Sequence, residues 1–389
     1  MTDRQAVFYQ SVGPELAAWR PDAAAATLTR LSAVTLPVDV QYVWRHPAQR
    51  VLYVASSNGG PGGGPNDRHW LHAFAMDPAT GALSPHGAPA ALPARPIHMS
   101  VDHAGAHVLT AYSKPSGVSV HRIAADGTLG EEVRQAVTPD GGIYGHQVLA
   151  APDDATVILV TRGHDAADGK PEEPGALKVF AFRDGQLTLR QTVAPHGGFG
   201  FGPRHIDFHP TLPLIYVSLE RQNQLTVHGF SDGVVTPEPL FTVETLARRD
   251  VPPRQIASTL HVHPDGRHLY LGNRNDAMGD WQGERVALEG GENTLVVYAL
   301  DPATGRPSLV QRIDSHGFHP RTFSLDPSAR MLAVAHITGR RVREGEGTAP
   351  RPATISLFRV GADGRLDFAR AIPVETGDRL QFWSGMVTL

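Results

Sequence analysis

A short turn recurs six times along the chain, and it constrains the fold more than any other feature of the sequence. The turns start about 50 to 60 residues apart, and each precedes a short apolar run such as Val-Leu-Tyr-Val or Leu-Ile-Tyr-Val. These anchor turns occupy residues 45–48, 102–105, 151–154, 209–212, 263–266 and 326–329. One apolar run before each turn and three after it indicate four strands per unit. Units of this length with four strands predict the blades of a β-propeller.

The two ends of the chain supply a seventh unit. Residues 6–33 contain three further apolar runs, and residues 379–389 contain one. If the C-terminal run becomes the inner strand of a blade completed by the N-terminal runs, the ring closes and no sheet edge is left open. We therefore predict an all-β fold, a seven-bladed β-propeller with four antiparallel strands per blade. The whole of residues 1–389 is expected to form this single domain.

Composition limits the possible partners. The 40 glycines and 32 prolines are spread along the chain, as in a protein with many turns. A net charge of −4 provides no basic surface for nucleic acid or a membrane. No secretory signal and no apolar run of about 20 residues are visible, so we expect a cytoplasmic protein. The absence of cysteine excludes disulfides, thiolate metal ligands and a cysteine nucleophile.

The repeat also predicts where a ligand binds. The innermost strands of a propeller line a central channel, and the anchor turns, which join first to second strands, all lie at one end of it. First strands therefore start, and second strands end, at the opposite end, which we call the mouth and which is a natural place for a small-molecule site. Counting five residues back from His46 in the first anchor turn, and from the first residue of each later turn, gives Gln41, Ile97, His146, Arg204, Ser258 and Arg321. Counting eleven residues forward gives Ser57, Ser113, Arg162, Glu220, Arg274 and Ile337. His98, His205 and Asn273 lie one position away from these two columns and are further candidates.

The side chains in the columns indicate acid/base chemistry on an anion. Several arginines with one carboxylate form a positive pocket, and a guanidinium binds a carboxylate or phosphate through two hydrogen bonds or stabilises an oxyanion. A histidine transfers protons near neutral pH. The sequence contains neither a Gly-x-Ser-x-Gly nor a His-Glu-x-x-His motif. We therefore expect chemistry with no metal and no cofactor, and a metal held by Glu220 and His146 is the alternative.

Five segments carry a resemblance to a known family. They are Gly-His-Gln-Val at 145–148, Gly-Pro-Arg-His-Ile-Asp-Phe-His-Pro at 202–210, Tyr-Val-Ser-Leu-Glu at 216–220, and the runs 261–274 and 319–326. Over essentially its whole length the chain resembles the seven-bladed propeller lactonases, which include cytoplasmic 6-phosphogluconolactonases and the fungal carboxymuconate cyclising enzyme. The resemblance implies a histidine, two arginines and a glutamate at the mouth, here His146, Arg204, Arg274 and Glu220.

We expect a lactone hydrolase that acts on a small, polar, anionic lactone of the sugar-acid type. His146 is expected to be the general base for water or the proton donor to the leaving alkoxide. Glu220 orients His146 or Arg274, or is itself the base. Arg204 and Arg274 hold the anion and stabilise the oxyanion. Candidates for further substrate contacts are Arg321, Arg162, His98, His205 and Asn273.

Two alternatives remain open on the sequence. The same residues would serve a cycloisomerase that closes or opens a lactone on a muconate-type diacid. A non-catalytic binding propeller is the other, with Trp70 and Trp281 in loops near the mouth as its only indication. The inserts at 58–70 and 340–351 follow second strands, so we expect them to be loops over the mouth that influence ligand choice. The expected partner is a small-molecule lactone, and the expected assembly is a monomer or weak homo-oligomer.

Overall fold

The strands of the chain form blades arranged in a ring. The computed structural model describes residues 5–60, 63–64, 66–167, 169–248, 250, 254–287 and 291–389. Within these ranges there are eight sheets, seven of which are the blades of a propeller, and one short 3-10 helix at Pro195–Gly198. No helix in the described ranges has the length and apolar character needed to cross a membrane. The predicted all-β propeller is confirmed.

The strands are numbered in chain order. Blade 1 contains β1 (Ala6–Val12), β2 (Glu15–Asp22), β3 (Thr27–Thr35) and the last strand, β34 (Ser384–Thr388). Blade 2 contains β4 (Val40–Arg45), β5 (Val51–Ser57) and β6 (His69–Met76), with β7 (Leu83–Pro85) and β8 (Ala90–Ala91) both beside β6. Blade 3 contains β9 (Pro96–Val101), β10 (His107–Ser113), β11 (Ser116–Ile123) and β12 (Leu129–Glu132). Blade 4 contains β13 (Gly145–Ala150), β14 (Thr156–Thr161), β15 (Ala176–Arg183) and β16 (Gln186–Val193).

The remaining blades follow the same order. Blade 5 contains β17 (Pro203–Phe208), β18 (Leu214–Leu219) and β19 (Gln224–Ser231), with β20 (Val234–Val235) and β21 (Phe241–Glu244) both beside β19. Blade 6 contains β22 (Gln255–Val262), β23 (His268–Asn275), β26 (Thr294–Leu300) and β27 (Pro307–Asp314). Blade 7 contains β28 (Pro320–Leu325), β29 (Met331–His336), β32 (Ala353–Val360) and β33 (Leu366–Val374). An eighth sheet contains β24 (Met278–Trp281), β25 (Glu284–Ala287), β30 (Arg340–Glu344) and β31 (Gly347–Arg351).

The termini close the ring as predicted. Strand β34 pairs antiparallel with β1, so that Met386 stands opposite Phe8 and Ser384 opposite Gln10. The innermost strand of blade 1 therefore comes from the C-terminus and its other three strands from the N-terminus. No terminal strand is left to pair with another chain at this position.

Repeated contacts hold each blade to the next. Second strands such as β5 and β18 are buried along their whole length, because neighbouring blades cover both of their faces. Within them, the hydroxyl of Tyr53 donates to Gly127 O at 2.8 Å and that of Tyr216 to Gly305 O at 2.8 Å, in each case across to the next blade. Buried apolar strands and satisfied tyrosine hydroxyls thus recur around the ring.

The anchor turns use histidine in a structural role. His209 Nδ1 accepts hydrogen bonds from the backbone N–H groups of Thr211 and Leu212, so Nε2 carries the proton and donates to Gly266 O in the next blade at 2.9 Å. His46 repeats this arrangement towards Gly105. These side chains fix the turns and lie at the end opposite the mouth.

Six of the inner strands share a β-bulge, and its position is the first of the predicted columns. In blades 2 to 7, the first strand contains residues that have no partner on the second strand. In blades 2, 3, 4, 5 and 7 this is the second residue of the first strand, and in blade 6 it is the fourth and fifth residues. The skipped residues are Gln41, Ile97, His146, Arg204, Ser258 with Thr259, and Arg321. A bulge bends the strand and redirects its side chain. The fold therefore sets these positions apart in blade after blade.

The 340–351 insert differs from the prediction. It forms the hairpin β30–β31 instead of a loop. This hairpin pairs with a second one, β24–β25, which was not predicted from the sequence. The two hairpins come from neighbouring blades and meet where Ala287 of β25 pairs parallel with Val342 of β30. Their strands are short and rich in Arg, Glu and Gly, so they lack the apolar alternation that would predict strands from the sequence. Trp281, expected in a loop, lies in β24, where the Arg343 guanidinium stacks 3.7 Å from its ring centroid.

The 58–70 insert is a loop where it is described, and residues 61, 62 and 65 lie outside the described residues. Its last two residues, His69 and Trp70, already belong to β6, which corrects the loop position predicted for Trp70. Both inserts follow second strands, so both leave the blades at the mouth end.

Candidate active site

A single buried carboxylate gathers three arginines at the mouth. Glu220 directly follows β18, and its side chain is only 4% exposed. Arg162 Nη1 donates to Glu220 Oε2 at 2.5 Å, and Arg274 Nη2 donates to Oε1. Arg204 Nε lies 3.0 Å from Oε1, without the alignment of a hydrogen bond. The three arginines come from blades 4, 6 and 5, and with Glu220 they form what we call the Glu220 cluster.

The charges of this cluster decide the state of Glu220. Burial alone would raise the pKa of its carboxyl group, but the guanidinium groups of Arg162, Arg274 and Arg204 outweigh burial and hold the pKa well below its usual range. Glu220 is therefore ionised at neutral pH. Both of its oxygens face guanidinium donors, so it is a poor proton acceptor and serves to hold the arginines in place.

Arg204 and Arg274 differ in how fully they are bonded. Arg274 Nη2 also donates to Ala257 O at 2.9 Å, and its Nη1 lies 3.2 Å from His319 Nε2. Arg204 is 1% exposed, yet its one hydrogen bond within the described residues is a long one, 3.4 Å from Nη1 to Thr259 Oγ1. Arg204 thus retains donors that a ligand could use, whereas Arg274 is largely committed to the protein.

His146 stands beside this cluster with a free imidazole. It occupies the bulge of β13 and is 6% exposed, and neither ring nitrogen has a hydrogen-bond partner among the described residues. Burial lowers its pKa well below the usual range, and the charge of Arg204 lowers it further, while Glu220 opposes the shift only in part. The preceding Gly145 is required, because a Cβ there would lie 2.6 Å from Tyr112 O. His146 is consequently neutral at neutral pH and able to accept a proton.

Two more histidines lie next to His146. The ring centroids of His146 and His205 are 5.3 Å apart, and those of His205 and His98 are 5.8 Å apart. Burial, followed by the charge of Arg204, lowers the pKa of both His205 and His98 well below the usual range. His98 Nδ1 accepts a hydrogen bond from the backbone N–H of Val148 at 3.5 Å, while its Nε2 is buried and has no partner in the described ranges. Three neutral imidazoles thus stand side by side.

Two other predicted residues, Asn273 and Arg321, do not pair with Glu220. Asn273 does not join the Glu220 cluster, since its amide nitrogen donates to Thr245 O at 3.0 Å and to Thr294 Oγ1 at 3.1 Å. Arg321 acts on the pKa of His146 through its charge but makes no ion pair with Glu220 in the described part of the chain. Its Nε donates instead to Phe382 O at 3.1 Å, and its guanidinium lies 3.7 Å from the Phe382 ring centroid.

Sequence reasoning missed three residues of the mouth. Tyr144, Arg95 and Phe382 all lie outside the regular strands, so no count from an anchor turn reaches them. The Arg162 guanidinium lies 4.1 Å from the centroid of the Tyr144 ring. Arg95 Nε donates to Gln41 Oε1 at 2.9 Å. The only available signal was the pair of glycines before Ile143 and Tyr144, which indicates an unusual backbone at the entry to β13.

One group of possible metal ligands occurs in the described part of the chain, and it lies at an anchor turn rather than at the mouth. It consists of His263, Asp265 and His268, whose ligand atoms lie within 4.8 Å of one another. Arg267 already binds Asp265 Oδ2 through Nε at 2.9 Å, which opposes a second cation there. At the mouth, guanidiniums contact both oxygens of Glu220, so a metal held by Glu220 and His146 would have to share an oxygen with a guanidinium or displace it.

Buried histidines make the fold sensitive to acid. Burial lowers the pKa of His72 and of His336 to about 4. Because an unfolded histidine titrates near pH 6.5, the unfolded chain binds protons first as the pH falls, so stability is complete above about pH 6.5 and declines below it. Each such histidine should cost about 2 kcal/mol by pH 5.

Urea unfolding at pH 7.5 and at pH 5 measures this loss. We expect the free energy of unfolding to be several kcal/mol lower at pH 5 than at pH 7.5. In His336→Gln this decrease should be smaller by about the contribution of one histidine. A free energy of unfolding that does not change between these two pH values would contradict the expectation.

The sequence is similar to those of known proteins. Residues 8–343 match the sequence profile of the family described as "Lactonase, 7-bladed beta-propeller". A 6-phosphogluconolactonase of Cronobacter sakazakii is 30% identical over 316 residues, which cover 79% of this chain and 80% of that relative. A 6-phosphogluconolactonase of Bacillus subtilis is 25% identical over 331 residues, which cover 81% of this chain and 84% of that relative.

The same fold occurs in solved structures. The periplasmic gluconolactonase of Pseudomonas aeruginosa superposes with a TM-score of 0.70 at 21% identity, covering 95% of this chain and 97% of its own. A protein from Lactobacillus plantarum superposes with a TM-score of 0.70 at 22% identity, covering 98% of both chains. The chain therefore belongs to the family of seven-bladed β-propeller lactonases, which are lactone hydrolases.

Proposed function

We propose that the protein hydrolyses a small anionic lactone of the sugar-acid type at the mouth, by acid/base chemistry without a metal. The observation that carries this proposal is the position of His146, a neutral imidazole without a hydrogen-bond partner in the described residues, beside the Glu220 cluster. Hydrolysis of an ester needs a proton acceptor next to cationic donors that stabilise the oxyanion. The relatives named 6-phosphogluconolactonase support a sugar-acid lactone as the substrate.

The reaction follows from these positions. His146 removes a proton from water as the water oxygen bonds to the lactone carbonyl carbon. The resulting oxyanion receives hydrogen bonds from the unused donors of Arg204. When the carbonyl reforms, the bond from carbon to the ring oxygen breaks, and the protonated His146 gives its proton to that oxygen. The product is a hydroxy acid, which loses a proton to the solution at neutral pH.

Glu220 acts on the reaction indirectly in this scheme. Its negative charge offsets part of the repulsion among Arg162, Arg204 and Arg274, and its contacts fix their guanidinium planes. Preorganised charges of this kind stabilise a transition state without reorganisation during the reaction. Of the roles considered from the sequence, positioning the arginines is therefore the one we propose for Glu220.

Proton release tests the proposal directly. The substrates are 6-phosphogluconolactone, gluconolactone and a muconate-type lactone, assayed near neutral pH with spontaneous hydrolysis subtracted. We expect a rate well above the spontaneous one on a sugar-acid lactone, with a hydroxy acid as product. A product that has gained no water would indicate cycloisomerisation instead, and no reaction on any of the three would contradict the proposal.

Removal of metals provides a separate prediction. Since both oxygens of Glu220 are bound to guanidiniums, we expect incubation with EDTA followed by gel filtration to leave kcat/KM within about twofold. The measurement is the same proton-release assay, before and after treatment. A loss that added Zn²⁺ or Mg²⁺ reverses would show that a metal takes part.

A further inference from the structure

A second pair of arginines lies in another sector of the mouth. Arg321 belongs to the bulge of β28 in blade 7, and Arg95 precedes β9 in blade 3. Both approach the ring of Phe382, with guanidinium-to-centroid distances of 3.7 Å and 5.4 Å. Each is fixed through Nε, in Arg321 by Phe382 O at 3.1 Å and in Arg95 by Gln41 Oε1 at 2.9 Å. Within the described ranges their terminal nitrogens make no hydrogen bond.

These two guanidiniums differ from the Glu220 cluster because no carboxylate of the described residues forms an ion pair with them. Among the described residues, no Asp or Glu oxygen lies within the 4.0 Å of an ion pair with either side chain. Asp67 acts on Arg95 and Glu220 on Arg321 only from a greater distance. Burial, Arg274 and Arg95 together lower the pKa of Arg321 to about 9. Two part-buried cations that repel each other indicate a position for an external anion.

Tyr144 lies near the same two arginines. Its phenol acts on the pKa of Arg95, of Arg162 and of Arg321, so it lies within electrostatic range of guanidiniums from three blades. Its hydroxyl has no hydrogen-bond partner in the described part of the chain. The residue has a φ of 60°, which is uncommon for an aromatic residue.

Neighbouring contacts hold this backbone in place. The hydroxyl of Ser116 donates to Gly141 O at 2.5 Å and accepts the N–H of Gly145 at 2.7 Å, so it spans the segment that contains Tyr144. Asp140, at the start of the segment, pairs with Lys178 at 2.6 Å. The phenol is thus presented by a fixed loop.

We propose that Arg95, Arg321 and the hydroxyl of Tyr144 form a second anion site, which binds the phosphate monoester group of a phosphorylated lactone while the lactone ring lies against His146. This inference rests on the proposed function. Two cations that have no ion-pair partner in the described ranges match a dianion better than a carboxylate, whose single charge would leave one cation unbalanced. Arg321 also acts electrostatically on His146, so the two parts of one substrate would lie within the same mouth.

Two measurements test the site, and the first needs no turnover. Calorimetric titration with inorganic phosphate is expected to show one phosphate bound per wild-type chain. Arg95→Met and Arg321→Met should each weaken binding at least tenfold. Arg312→Met is the matched control, since Arg312 is also part-buried and bonded through Nε to a backbone carbonyl, Thr245 O at 2.9 Å, but lies on the outer strand β27. It should bind phosphate within twofold of wild type.

The second measurement compares 6-phosphogluconolactone with gluconolactone, which lacks the phosphate. Arg95→Met should raise KM for the phosphorylated lactone 10- to 100-fold and change kcat/KM for the uncharged one less than twofold. Tyr144→Phe, which keeps the ring on Arg162, should raise KM several-fold for the phosphorylated lactone alone. Within the described ranges the Arg95 side chain has one hydrogen bond, to Gln41, and one ring contact, with Phe382, so its variant stays informative even if Arg321→Met does not fold.

The outcomes separate the site from the proposed function. Wild type that binds no phosphate, or variants that bind it as tightly as wild type, would overturn the site. Hydrolysis of both lactones with no change in Arg95→Met would overturn the site and leave the proposed function standing. Phosphate binding that is lost in Arg95→Met, without hydrolysis of any lactone, would support the site and overturn the proposed function.

Discussion

Glu220→Gln is expected to lower the free energy of unfolding by about 3–5 kcal/mol and kcat/KM by at least about 100-fold. The amide keeps the shape of the side chain and removes its charge. Arg204 and Arg274 would then remain buried, and Arg162 partly buried, beside one another without the counter-ion that Glu220 provides. Removing one partner of a buried ion pair is costly because the charge that remains is uncompensated. The guanidiniums would separate, and the donors facing the oxyanion would move with them.

Chemical unfolding and the lactone assay measure the two effects. Glu15→Gln is the matched control, because it makes the same substitution in a Glu–Arg pair, 2.8 Å from Arg30, whose side chains are about half exposed. Exposed pairs contribute less than about 1 kcal/mol, so this variant should keep nearly full stability and full activity. If Glu220→Gln unfolds like the control variant, the cluster does not carry the charge balance that we assign to it.

The stability effect of Glu220 also has its own pH window. The pKa of the folded carboxyl lies below that of the unfolded chain, so the stabilisation is present above about pH 4.5 and is lost as the pH falls towards the folded pKa. Wild type and Glu220→Gln should therefore converge in stability on strong acidification. The loss from buried histidines begins higher, below about pH 6.5, and should be common to both proteins.

The blades and the core of the site could be predicted because both follow from a repeat with fixed geometry. Strands rise by a constant distance per residue, so a count from an anchor turn reaches the same height in every blade. That count selected His146, Arg204, Glu220 and Arg274. In the structure the two arginines contact the carboxylate of Glu220, and His146 lies within electrostatic range of Arg204 and Glu220.

The same geometry explains two neighbours of the columns. Asn273 lies one position from Arg274 on a strand without a bulge there, and alternation turns its side chain away from the mouth. His205 is also one position off, but it follows the bulged Arg204, where two residues oppose one, and its ring stays close to that of His146. Sequence alone treated these two positions alike.

Residues outside the repeat could not be placed by counting. Phe382 reaches the mouth because the C-terminal strand closes the ring, and Arg95 reaches it from a connection between blades. The hairpins β24–β25 and β30–β31 have little apolar pattern, and each gains a partner only when neighbouring blades bring them together. In such cases the tertiary structure determines the local structure, so a local pattern gives no signal.

His146→Gln is expected to reduce kcat about 100- to 10,000-fold, the usual contribution of a general acid/base, with little change in stability. The imidazole makes no hydrogen bond within the described ranges, so its loss leaves no partner unsatisfied. His121→Gln is the matched control. His121 is likewise buried, with an Nδ1 that has no partner among the described residues, but it lies on the third strand of blade 3, away from the mouth. It should keep kcat within about twofold of wild type.

The pH profile distinguishes proton transfer from a purely structural role. In the free enzyme, burial and Arg204 keep the pKa of His146 well below its usual range, so kcat/KM should stay level as the pH falls through 6.5. A bound anion offsets the arginine charge and raises that pKa, so kcat should begin to fall at a higher pH than kcat/KM does. His146→Gln should lose this acid limb. A wild-type kcat/KM that falls with a midpoint at or above pH 6.5, or an acid limb that persists in the variant, would mean that another group transfers the proton.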